Sequence, residues 1–199
     1  MLRNWLVLFL AAGLLPLAPA RAEEKQAEAP VRCKPALVVI DVQKEFLPYM
    51  SESDLKVAPL TINGAIWLFR ERGFPVIRVY HTDPRWGPSP DSPGFQFLES
   101  IQVRPEDPQV VKNFPSSFKK TELESLLRNQ GCNTLFLCGL SATGCVLATY
   151  HGAVDRDFDT FLVKGGLISP DRAQTEVIED ISETVTFEAM RVMLDEAKR

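Results

Sequence analysis

A chain of 199 residues, 45% hydrophobic and 24% charged, is sized and balanced for one globular domain with a sizeable core. Its formal charge of −4 argues against nucleic acid and anionic membrane as partners, because both kinds of binding rest on a basic field.

Residues 1–22 stand apart from the rest. Arg3 supplies positive charge, Trp5 to Leu17 is almost wholly apolar, and Ala20-Arg21-Ala22 offers a small-x-small cleavage site. This is the pattern of a cleaved secretory signal, the apolar run being shorter than the roughly 20 residues a spanning helix needs. Cleavage removes Arg3 and Arg21, leaving 20 basic against 26 acidic side chains and a formal charge of −6. The expected product is exported, periplasmic or secreted, with no membrane contact after cleavage. Its four cysteines, Cys33, Cys132, Cys138 and Cys145, would then sit in an oxidising compartment.

Residues 23–34 are charged, Ala- and Pro-containing and without periodicity, which reads as a disordered lead-in to a folded domain spanning 35–199. Ala36 to Ile40 is a continuous branched apolar run ending in Asp41, the pattern of a strand buried on both faces of a parallel sheet. Apolar positions at helical spacing predict a helix over Val57 to Arg72, closed by Gly73, and a strand follows from Pro75 to Tyr80, leading to His81. Thr82 to Gly94 is rich in Pro and Gly and long for a simple connection, so it reads as a functional loop with Trp86 at its middle.

Val110-Val111 leads to Lys112 and a turn, and Lys119 to Asn129 reads as an amphipathic helix closing at Gly131. Asn133 to Cys138 is a buried strand running into Gly139, and a small-residue turn then delivers Cys145 at the start of a helix reaching Arg156. Thr160 to Val163 reads as a short strand before Gly165-Gly166, and Arg172 to Ser182 as a helix. Thr184 to Lys198 reads as the last helix, with a strand near Thr184 to Thr186 as the competing assignment. Strands alternating with helices imply an α/β fold, a three-layer α/β/α arrangement around a mostly parallel sheet. Sites in such sheets form beyond the carboxyl ends of the strands, where Asp41, His81, Lys112 and Cys145 all fall.

Asp, Lys and Cys gathered at one edge make a nucleophilic set. A thiolate is a strong nucleophile, an Asp can take its proton, and a Lys lowers the thiol pKa or stabilises a neighbouring carboxylate. The segments DVQKEF (41–46), KNFPSSF (112–118) and GLSATGCV (139–146), in that order on an α/β pattern, resemble the isochorismatase-like cysteine hydrolases, a family that includes nicotinamidases, N-carbamoylsarcosine amidases and ureidoacrylate amidases. The resemblance spans about residues 35 to 170.

What the resemblance implies is specific. Asp41 would be the general base and acid, Lys112 its cationic partner and Cys145 the nucleophile of a thioester acyl-enzyme. Backbone N–H groups of Ser141 and Cys145 would form an oxyanion hole after a cis Leu140–Ser141 bond, and Phe46 matches an aromatic that lines the family's substrate pocket; by their own places in the long loop and at a strand end, Trp86 and His81 are further candidates to meet the substrate. Ala142 stands where the family usually has Thr. The chain lacks the Asp-x-His pair with which nicotinamidases hold a divalent ion, so neither a metal nor another cofactor is expected. The family topology makes the strands after Cys33 and Cys132 neighbours, which in an oxidising compartment implies a disulfide between the two. The expected activity is hydrolysis of a small amide, ureide or carbamoyl compound, the small molecule being the partner, with homo-oligomers known among family members. The rivals are a vinyl-ether hydrolase of the isochorismatase kind, which needs no cysteine, and a redox or binding protein that keeps the fold without hydrolysis.

Overall fold

The computed structural model describes residues 32–85 and 87–199. The segment read as an export signal and most of the expected lead-in, along with Trp86, lie outside the described residues. Six parallel strands form the sheet: β1 (Pro35–Ile40), β2 (Val76–His81), β3 (Gln109–Lys112), β4 (Thr134–Leu140), β5 (Asp159–Ile168) and β6 (Thr184–Val185). Their order is β3-β2-β1-β4-β5-β6. Five helices accompany them: α1 (Glu52–Arg72), α2 (Leu123–Asn129), α3 (Leu147–Val154), α4 (Arg172–Ile181) and α5 (Phe187–Lys198).

The two central strands are the most apolar, and for a physical reason. Every residue of β1 and β4 is buried, because helices cover both faces of the sheet and no side of a central strand reaches water. Alternate residues therefore serve different layers. Leu37 and Val39 pack with Ala65, Ile66 and Phe69 of α1 and with Met190 and Leu194 of α5. Ala36, Val38 and Ile40 pack with Leu123 and Leu127 of α2, Ala153 of α3 and Ile178 of α4. Each fully buried Leu, Ile or Phe in these layers contributes about 1.5–3 kcal/mol.

Strand order reverses direction between β1 and β4, since β2 and β3 lie on one side of β1 and β4, β5 and β6 on the other. The helix-lined crevice beyond the carboxyl ends of the strands opens at such a point. Asp41 follows β1 and the Ser141–Cys145 turn follows β4, while His81 and Lys112 end β2 and β3 as register partners. All four expected residues thus come to one edge.

Several elements differ from the sequence reading, α2 among them, which begins at Leu123 and not Lys119. α1 begins at Glu52, not Val57, because Ser51 caps it, accepting a hydrogen bond from the Asp54 N–H at 3.4 Å. β5 runs on through Gly165-Gly166 to Ile168. There Gly165 takes φ +75 and the register against β4 shifts between Leu137 and Gly139, so an irregularity absorbs the glycines that looked like a strand end. Thr184–Val185 is a strand paired to β5, and the last helix starts only at Phe187, where Thr186 caps it. Cys145 lies within a π-helical turn, Ala142–Val146, that precedes α3.

Candidate active site

Asp41 leaves β1 in the left-handed region, φ +53, a conformation Asp tolerates better than most residues and one that recurs at functional sites. On the neighbouring strand Gly139 is the register partner of Ile40 and takes φ +117. A Cβ there would lie 2.1 Å from the Ile40 carbonyl oxygen, so only glycine lets the two strand ends approach this closely. The Leu140–Ser141 peptide bond is cis, where the resemblance placed it. Beyond it, the N–H groups of Gly144 and Val146 donate to the Ser141 carbonyl at 3.0 and 3.1 Å, closing the turn that carries Cys145.

Lys112 is fully buried and donates from Nζ to Asp41 Oδ2 at 2.6 Å. The same ammonium lies 3.2 Å from His81 Nδ1. A carboxylate oxygen of Asp41, a ring nitrogen of His81 and Cys145 Sγ all fall within 4.8 Å of one another. Asp41 Oδ1 is buried and has no hydrogen-bond partner among the described residues. A buried carboxylate this close to a thiol can exchange a proton with it.

The electrostatics agree. Burial raises the Asp41 carboxyl above the ordinary carboxylate range, and Lys112 opposes that shift. The Cys145 thiol is pushed up to about 12, by burial first and then by the negative charge of Asp41, with Lys112 again opposing. The Cys145 side chain is therefore a neutral thiol near pH 7. His81 is lowered by burial and by Lys112 and is the neutral imidazole near pH 7. Asp41, His81 and Cys145 have metal-ligating atoms, but the Lys112 ammonium sits within 3.2 Å of donor atoms on two of them and already supplies the cation.

Two supports were not legible from sequence. Gln43, fully buried, accepts from the His81 N–H at 2.7 Å and donates to the carbonyls of His81 and Phe95 at 3.0 Å each, clamping the end of β2. Thr149, one helical turn after Cys145, donates to the Cys145 carbonyl at 2.7 Å and accepts from the Ser117 N–H at 3.0 Å. It stitches the loop after Lys112 to the turn that carries Cys145. A Thr four residues after the Cys, facing the Ser pair of NFPSSF, was the available signal. Of the other expected residues, Phe46 is half-buried with its ring edge-on to His81, centroids 6.0 Å apart. Ala142 is fully buried in the layer with Val146 and Leu167.

Cys33 and Cys132 do not form the expected disulfide; both are free thiols in the structure. Cys132 is packed among Leu127, Leu135 and Phe158, while Cys33 is half-exposed. Both line a cavity of about 380 Å³ at the amino ends of the strands, the edge opposite the site. Cys138 is a buried thiol inside β4, as its place in an apolar run implied.

The family model for the isochorismatase domain matches residues 35–187. The isochorismatase family protein YrdC of Bacillus subtilis is 32% identical over 134 residues, covering 65% of this chain and 71% of that protein. Maleamate amidohydrolase of Pseudomonas putida is 32% identical over 68 residues, 34% of this chain and 32% of that enzyme. The crystal structure of N-carbamoylsarcosine amidase from Thermoplasma acidophilum superposes with a TM-score of 0.66 at 26% identity, covering 77% of this chain and 95% of that one. With its strand order, its strand-end residues and this match over most of its length, the chain belongs to the isochorismatase family of hydrolases.

Proposed function

We propose that the protein is a cysteine amidohydrolase that cleaves a C–N bond in a small amide, ureide or carbamoyl compound. The observation that carries this reading is the buried Asp41 carboxylate, with one oxygen held by Lys112, the other without a hydrogen-bond partner, and a carboxylate oxygen within 4.8 Å of Cys145 Sγ. Maleamate amidohydrolase and N-carbamoylsarcosine amidase, both similar to this chain, are named for C–N substrates, which supports the bond type.

The geometry supports the following course. Asp41 Oδ1 takes the Cys145 proton as Sγ attacks the substrate carbonyl carbon, and the N–H groups of Ser141 and Cys145 receive the developing oxyanion. Such a base contributes about 10²–10⁴-fold and each oxyanion donor about 10²–10³-fold. Protonated Asp41 then gives its proton to the leaving nitrogen, the C–N bond breaks, and ammonia or an amine departs from a thioester. Asp41 next deprotonates a water that attacks the thioester carbonyl, and the proton returns to Sγ as the acid leaves. Lys112 stays on Oδ2 throughout and opposes the rise that burial imposes on the Asp41 carboxyl. A vinyl-ether hydrolase needs no thiol beside the acid, so the proximity of Cys145 favours amide cleavage.

The apolar leader supports export to the periplasm or medium, which fractionation of the full-length protein tests. Release of ammonia from a panel of small primary amides, ureides and carbamoyl compounds tests the activity. Turnover of at least one of them by wild type and its loss in Cys145→Ala is the expected result.

A further inference from the structure

We propose that His81 is a positioning residue: its Nδ1 accepts a hydrogen bond from the Lys112 ammonium and so holds that cation on Asp41 Oδ2, leaving Oδ1 open toward Cys145. This rests on the reading of Cys145 and Asp41 given above and assigns the group that orients them.

An ammonium only donates. With Lys112 Nζ at 2.6 Å from Asp41 Oδ2 and 3.2 Å from His81 Nδ1, Nδ1 must carry a lone pair and the ring proton must sit on Nε2. Burial and the Lys112 charge both disfavour a second cation here. The imidazole cannot drift, since Gln43 clamps its main chain from both sides and the Phe46 ring lies edge-on to it. Remove the Nδ1 acceptor and the Lys112 donors are left with the Asp41 carboxylate and, beyond it, the Cys145 thiol. A bifurcated pair would then cover Oδ1, the oxygen now without a partner, and the thiol would lose its base. The charged and titratable groups around His81 are Lys112 from β3, Asp41 after β1, Cys145 in the turn after β4, and Asp83 on its own loop, which lies 3.6 Å from Arg85.

The test needs no substrate. Long-range ¹H–¹⁵N NMR of the wild type near pH 7, with His151→Gln for assignment, is expected to show His81 as the neutral Nε2–H tautomer. Alkylation of Cys145 by iodoacetamide, followed by peptide mass from about pH 5 to 9, then separates two variants. In His81→Asn the amide Oδ1 replaces the Nδ1 acceptor, and the rate stays within about twofold of wild type. In His81→Phe the acceptor is lost, the Lys112 charge moves toward the thiol, and the rise of the alkylation rate moves to lower pH by about one unit, which is about tenfold in rate near pH 7. The proposal is overturned by an Nδ1–H tautomer or an imidazolium in the wild type. It is also overturned if the His81→Asn profile shifts as far as that of His81→Phe, or if His81→Phe keeps the wild-type profile. Circular dichroism checks both variants, and the wild-type tautomer decides the matter where His81→Phe does not fold. Because alkylation reads the thiol and not amide cleavage, an inactive substrate panel leaves this result standing, and an active panel does not substitute for it.

Discussion

Lys112 Nζ and Asp41 Oδ2 lie 2.6 Å apart with neither side chain reaching solvent, although the two residues are 71 positions apart in the chain. Removing one member of such a pair strands a buried charge, at a cost of about 3–5 kcal/mol. Lys112→Met is therefore expected to lower stability by that amount in urea unfolding, and Asp41→Asn to do the same. The double variant Asp41→Asn/Lys112→Met, with no charge left, should recover most of the loss, a coupling that a double-mutant cycle reads directly. Strictly additive losses would contradict the pairing.

Gly139 makes a second prediction. Its φ of +117 and the 2.1 Å separation between an added Cβ and the Ile40 carbonyl oxygen leave no room for alanine. Gly139→Ala should destabilise the protein by at least about 3 kcal/mol, the sum of a backbone penalty and a steric one. Gly73→Ala is the control. It also has positive φ, but a Cβ added there meets no atom within 4 Å, and the substitution should cost only about 1 kcal/mol. Equal thermal shifts for the two would show that the β1–β4 approach is not what demands glycine.

The site also predicts how stability depends on pH. His81 is lowered below 6.5 in the folded protein, so in the window between its folded value and 6.5 the unfolded chain binds more protons. Stability from this group is complete above that window and is lost as pH falls through it. Asp41 has the opposite sign: its carboxyl is raised above 3.8, and its contribution is complete below that value and lost as pH rises through the raised one. Urea midpoints measured from about pH 5 to 7 should thus climb more steeply for wild type than for His81→Asn. Parallel curves would contradict the assignment of His81.

The cysteines should separate by reactivity. Cys33 is half-exposed and should be alkylated first in the native protein near neutral pH, whereas Cys132 and Cys138 are buried and raised by that burial and should react only on unfolding. Cys145 should be intermediate and strongly pH-dependent, its thiol being held near 12 while Asp41 is its neighbour. Peptide mapping after timed alkylation distinguishes all four. Rapid labelling of Cys138 would mean that β4 is not a closed central strand.

Much of the fold was legible because central strands of a covered parallel sheet cannot hide their composition: PALVVI and TLFLCGL are apolar on both faces. The gathering of Asp41, Lys112 and Cys145 at one edge was legible because each lies at or just past a strand end. What escaped the sequence depends on partners far away in the chain. Gln43 reads as a polar residue in a loop until His81, 38 positions later, closes two hydrogen bonds on it. Thr149 reads as a helix residue until Ser117 meets it. The carboxyl half of β5 was hidden by Gly165-Gly166, whose breaker character is absorbed by a register shift against β4, and the first turn of α1 by its polar residues Glu52, Ser53 and Asp54. That turn is fixed by tertiary contacts: Asp54 is buried and accepts from Ser169 N–H, Thr175 Oγ1 and Arg172, at 3.1, 2.6 and 3.1 Å.

The proposed reaction stands on a covalent acyl intermediate at Cys145, formed as Asp41 takes the thiol proton. The most direct measurement is intact mass of the quenched protein during turnover of a small amide that releases ammonia. A mass increment equal to the acyl group, mapped to the peptide holding Cys145 and missing from Cys145→Ala, is the result expected. Undiminished turnover by Cys145→Ala would contradict it.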